Sequence, residues 1–158
     1  MFQFLSSDFD YYSFNVRKDA KGNLNVYVAA NSDFTAKLSR YSVHFNPVAS
    51  DVQVYQTESD LNLGQYCADF IDSTHTLIVL TCLKNKMLHV FQRKESFVFV
   101  AHLMLPEGDS FATSSSRLDQ QPPLQVAFKA AQNYLFVKTQ SSFDQVYRLR
   151  LYTVQLAA

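Results

Sequence analysis

"STHTLIVLTCLKNKMLHVFQRKESFVFVAHLML", residues 73–105, decides how the rest of the chain is read. It holds three apolar runs separated by two short charged turns. Runs this short, rich in Val, Leu, Ile and Phe and bounded by Lys, Asn, Glu and Ser, are strands joined by hairpins. Two of them, "TLIVLTCL" and "SFVFVAHLML", are apolar on both faces, as strands sandwiched between two other layers must be.

The same signals extend in both directions. Candidate strands are "YYSFNVRK", "NLNVYVAA", "AKLSRYSVHF", "DVQVYQ" and "QYCADFI" before the stretch, and "LQVAFKA", "YLFVKTQ" and "DQVYRLRLYTVQL" after it, with "KMLHVFQR" inside it. Helical periodicity is almost absent, and 14 Phe and 9 Tyr stand against only 3 Gly and 4 Pro. Turn chemistry falls at Lys21-Gly22-Asn23, Lys84-Asn85 and Gln132-Asn133. The chain is expected to be all-β.

The strands also repeat. With Phe70 set on Phe128 and Leu77 on Leu135, both segments show a phenylalanine, six residues, a leucine and a short apolar strand ending in Thr81 or Thr139. Each is followed by a polar turn and a further strand, 87–92 or 146–151, and a looser copy begins at Tyr12. The expected architecture is therefore one domain over 1–158 of antiparallel meander repeats, with about three β-propeller-like blades at 11–55, 66–105 and 124–156. A flexible loop, Ser-, Pro- and Gln-rich, is expected at 106–123, where Ser114, Ser115 and Ser116 precede Arg117. A single β-sandwich or barrel is the alternative fold.

These units resemble a β-propeller of the WD-repeat-like class. The chain has no Trp, hence no Trp-Asp dipeptide, and no Gly-His pair opens a unit, so it is closer to the propeller class than to the WD-repeat family itself. Propellers close with ~4–8 blades. Three blades then imply a fragment of a longer propeller, a pairing with a second copy, or blades from another subunit. The spare strand Phe2 to Ser6 resembles the closing strand of such propellers. The resemblance implies protein or peptide binding on the ring faces. The segment 67–92 is in addition similar to late blades of the non-catalytic subunit of the tRNA guanine-N7 methyltransferase.

Composition bounds the chemistry. The chain has 158 residues, with 14 Lys and Arg balancing 14 Asp and Glu, which gives no electrostatic reason to expect nucleic acid except through a complex, or a membrane. The first residues lack a basic stretch followed by a long apolar one, and Cys67 and Cys82 make no disulfide framework, so buried free thiols and an intracellular location, cytoplasmic or nuclear, are expected. His44, His75, His89 and His102 have no metal spacing, although His89 and His102 fall where they can face each other on adjacent strands. No GxSxG motif or phosphate loop occurs. The expectation is a non-catalytic interaction scaffold without a cofactor, its partners other proteins or a second copy of itself. A small-ligand-binding barrel or sandwich, its cavity lined by aromatics, is the rival.

The candidate partner-binding residues are Arg148, Arg150 and Arg117. Arg148 and Arg150 share one face of a terminal strand with Val146, while Tyr147, Leu149 and Leu151 share the other. Such charges either bind an acidic partner or protect a sheet edge from pairing. The apolar phase slips at Tyr152, where a bulge is expected.

Overall fold

Short alternating segments with few glycines can satisfy their backbone groups only by pairing with one another, and that is how this chain folds. The computed structural model describes residues 11–18, 21–31, 36–46, 48–64, 68–94, 96–113 and 122–156. Among them there is no helix, and the strands form three antiparallel four-stranded sheets.

The first sheet runs β1 (Tyr11–Lys18), β2 (Leu24–Asn31), β3 (Ala36–Asn46) and β4 (Asp51–Gly64), each paired with the next. The middle sheet repeats the plan with β5 (Phe70–Ser73), β6 (Leu77–Cys82), β7 (Met87–Arg93) and β8 (Phe97–Met104). In the third sheet, β9 (Asp109–Phe111) and β10 (Leu124–Lys129) pair with opposite ends of one side of β11 (Gln132–Ser141). Its other side pairs with β12 (Tyr147–Val154). None of the sheets closes on itself, which removes the barrel alternative for the described residues.

The middle sheet is packed on both faces. Side chains alternate along a strand, so Ile78 and Leu80 of β6 meet Tyr27, Ala29 and Leu38 of the first sheet. Leu77 and Val79 meet Leu124, Val126, Leu135 and Val137 of the third. Every residue of β6 is buried, and each such large aliphatic side chain contributes roughly 1.5–3 kcal/mol of transfer free energy. Arg93 crosses the first of these interfaces: its guanidinium carbon lies 4.8 Å from the Tyr27 ring centroid, and Nη1 donates to Thr74 O at 2.7 Å. β5 lies against both β1 and β10, so one margin of each of the three sheets comes together.

Several expectations are corrected. The strand at 97–104 was expected to be sandwiched. It is the edge strand of its sheet and every residue is half-buried or exposed, although Val100 and Leu103 reach the core shared with the third sheet and Phe97 the core shared with the first. β4 runs on through the polar segment "TESDLNLG" to Gly64. Part of the connection 106–123 is strand β9. The turn expected at Gln132-Asn133 falls two residues earlier, at Ala130 and Ala131, which both adopt positive φ, 52° and 61°. Positive φ at both central residues of a two-residue hairpin defines a type I′ turn, and here alanines fill it.

The repeat holds in its second strands and slips in its first. Thr81 and Thr139 are both buried, and Leu77 and Leu135 share one core. Phe70, however, opens β5, whereas Phe128 lies near the end of β10. Phe70 pairs with Thr81, but Phe128 pairs with Asn133 and not with Thr139, so the first strand of the third sheet is displaced in register. The strand proposed at Phe2 to Ser6 lies outside the described residues.

Candidate partner-binding surfaces

The two faces of β12 have different fates. Register with β11 puts Arg148, Arg150, Tyr152 and Val154 opposite Thr139, Val137, Leu135 and Asn133, on the face turned to the middle sheet. This pairing is continuous, so the bulge expected at Tyr152 is absent. The apolar phase changes there because the inward side chains pass from arginine to core residues: Tyr152 and Val154 pack on the core between the middle and third sheets.

Both arginines are engaged within the chain. Arg148 Nη2 donates to Asp144 Oδ2 at 2.8 Å, across the turn that precedes β12. That hydrogen bond, helped by the Val146 amide, holds the Asp144 carboxyl down at about 2. Arg150 Nε donates to Asp109 Oδ2 at 2.6 Å. Asp109 is buried on β9, so this pair fixes the short strand to the sheet. Arg117 lies outside the described residues.

The other face of β12 is apolar and open. Tyr147, Leu149 and Leu151 stand opposite Gln140, Lys138 and Phe136, and Leu149 is 68% exposed. Phe143, in the turn before the strand, is also exposed, its ring lying over Gly108. Gly108 has φ +83°, and a Cβ there would run into that ring.

The far side of the first sheet matches it. Tyr27 and Ala29 point to the middle sheet, so alternation turns Leu24 and Val26 outward. Register adds Val16 on β1, Tyr41, Val43 and Phe45 on β3, and Val52 and Val54 on β4 to the same face. Phe45 is 64% exposed, and Val16, Leu24 and Val52 are also exposed. Val28 and Ala30, further along the same face of β2, are buried, so the stack presents an exposed apolar patch at each end, and on the first sheet it is centred on Val16, Leu24, Phe45 and Val52.

Polar groups knit β1, β5 and β10. Asp72 Oδ1 accepts from Arg17 Nη2 at 2.8 Å and from Asn15 Nδ2 at 3.0 Å, both on β1. Its Oδ2 accepts from the Val126 amide of β10 at 2.7 Å. One carboxylate therefore ties together all three sheets. Ser73 Oγ also donates to Asn15 Oδ1. On the third-sheet side, Thr74 and Thr76 both donate to Asn133 Oδ1 at 2.8 Å.

His89 and His102 do face each other, Nδ1 to Nδ1 at 2.6 Å. Burial, and then the neighbouring His102, lowers the His89 imidazole to about 4, so His89 is neutral at neutral pH. Cys82 is disulfide-bonded, contrary to the expectation of free thiols. The chain's other cysteine, Cys67, lies outside the described residues. Disulfides persist in oxidising compartments, and the reduced-thiol argument for an intracellular location falls with this bond. Among the described residues, no group of three or more His, Cys, Asp or Glu is placed to hold a metal, and no helix is long and apolar enough to cross a membrane.

The open face of β12 was legible as the alternation of Tyr147, Leu149 and Leu151 against the arginines. The outer face of the first sheet was not separated from its inner one, because β2 reads as apolar on both sides. Nor was Asp72 singled out, since nothing local distinguishes it from a turn aspartate. Comparison of the chain with protein families, curated proteins and solved structures found no match.

Proposed function

We propose that the chain is a non-catalytic interaction module whose sheets act as blades of a partial, WD-repeat-like propeller. The observation that carries this reading is the contrast between a middle sheet packed on both faces and end sheets whose outer faces each carry a patch of exposed apolar side chains. Convergence of β1, β5 and β10 supports it, since propeller blades meet along their inner strands. The occupant of the open faces is a second copy: the first-sheet face of each protomer lies on the third-sheet face of the other, and two three-blade stacks close a ring. The exposed apolar side chains of both faces are valines, leucines and aromatics, kinds that also fill the two interfaces inside the stack, although Lys138 and Gln140 share the third-sheet face.

Light scattering during size-exclusion chromatography tests this reading. The chain is expected to run as a dimer, and Leu149→Lys with Leu151→Lys is expected to give a monomer with unchanged circular dichroism. A well-folded monomer at every concentration would sink the self-closing ring. Soluble aggregate would give the open faces to blades from another chain.

A further inference from the structure

We propose that the β7–β8 hairpin carries a monovalent copper site formed by His89 and His102 together with the thioethers of Met87 and Met104. The register carries the argument. Met87 pairs with Met104, and His89 pairs with His102, two residues along the same strands. Positions two apart share a face, so four soft or borderline donors are gathered on one side of a single hairpin. The only register shift between β7 and β8 falls beyond this array, between Val90 and Phe91.

The two imidazoles already converge. Their rings meet edge to face with centroids 4.6 Å apart, and the Nδ1 atoms are joined by a hydrogen bond of 2.6 Å. Two ligands on a tetrahedral ion with bonds of ~2.0–2.1 Å sit roughly 3.3 Å apart. Opening the pair by roughly 0.7 Å therefore admits an ion between the nitrogens. The ring that donates the shared hydrogen bond shifts its proton to its own Nε2, so both Nδ1 lone pairs become available and no proton is released.

The exposure of the donors is graded. His89 is buried, Met87 is half-buried, and His102 and Met104 are exposed. The ion can enter from solvent and be held against a fixed inner ligand, with the edge strand β8 free to adjust. The Phe99 ring lies 4.5 Å from the His102 ring and walls one side with apolar surface.

The donor set selects the metal. Thioether and imidazole are uncharged and soft to borderline, which suits Cu(I) and leaves Mg²⁺ or Ca²⁺ without the oxygen ligands they require. Cys82 lies opposite Met87 on β6 but is disulfide-bonded and supplies no thiolate.

The test is an anaerobic titration of the full chain with Cu(I), in competition with a chromogenic Cu(I) chelator. One copper per chain is expected, with nitrogen and sulfur scatterers in the copper X-ray absorption spectrum. Losing even an outer-shell partner typically weakens a metal site by about 10- to 100-fold. His102→Ala and Met104→Leu should therefore each weaken binding by at least about tenfold, and both positions are exposed enough to leave the fold intact. Failure to compete for copper would overturn the proposal. So would an affinity unchanged in both variants, or a spectrum without sulfur.

Discussion

β6 lies in the middle of a meander and β12 at a margin, and every residue of β6 is buried whereas β12 is at most half-buried on its inner face and exposed on its outer one. Composition separates them in part, since β12 carries Arg148 and Arg150; for their leucines the number of packed layers decides. In β6, Ile78 and Leu80 meet the first sheet while Leu77 and Val79 meet the third. In β12, Tyr152 and Val154 have the same kind of neighbour, whereas Leu149 and Leu151 are exposed. An apolar residue thus does one of two jobs here: it cements the stack, or it waits at its end.

The largest expected effect would break that contrast directly. Leu80→Ala should cost about 3–4 kcal/mol, because it leaves a cavity between two packed sheets. Leu149→Ala, measured where the chain is monomeric, should stay within about 0.5 kcal/mol. Urea unfolding of both variants checks this, and equal losses would remove the distinction between cementing and waiting residues.

Acid should attack the inner strands next. The fold holds the His89 imidazole at about 4, below its ordinary value of 6.5, so between those values the unfolded chain binds the extra proton. Stability is then complete above pH 6.5, falls as the pH drops towards 4, and levels off below that. The whole span corresponds to on the order of 3 kcal/mol. His89→Leu should flatten this limb of the pH–stability curve. A limb that persists in the variant would assign acid sensitivity to other groups.

The smallest effect is a gain. Ala130 and Ala131 occupy a type I′ turn without the residues that favour positive φ. Replacing them with Asn and Gly (A130N/A131G) should stabilise the chain by about 1 kcal/mol. Thermal unfolding reads this change, and no gain would mean that the tertiary contacts of the third sheet already dictate the turn.

Much of the architecture was written locally. β-Branching, aromatic content and hairpin chemistry at Gly22 and Lys84 placed most of the strands, and "TLIVLT" announced burial on both faces. What escaped depends on distant partners. β9 is three residues long and is held by Arg150, 41 positions away. β8 reads as doubly apolar yet lies at an edge, because sequence states how apolar a strand is and not whether a strand pairs on each side of it. Ala130 and Ala131 carry no turn signal, and their conformation is imposed by the pairing of Lys129 with Gln132. The histidine pairing was legible as an opportunity on neighbouring strands, but its role required the register of Met87 and Met104 around it.

Asp72 has a consequence for the order in which the molecule assembles. Each sheet is built mainly from neighbouring hairpins, with β9 the exception, so each can begin to form from short-range contacts, quickly and on its own. The Asp72 carboxylate obeys a different rule: its bonds reach back 57 and 55 residues to Asn15 and Arg17, and forward 54 residues to Val126. A chain with two sheets docked leaves part of this set desolvated and unmatched, an expensive intermediate. The carboxylate therefore acts as a checkpoint, fully satisfied only when the third sheet arrives, and it turns three locally autonomous units into one cooperative transition.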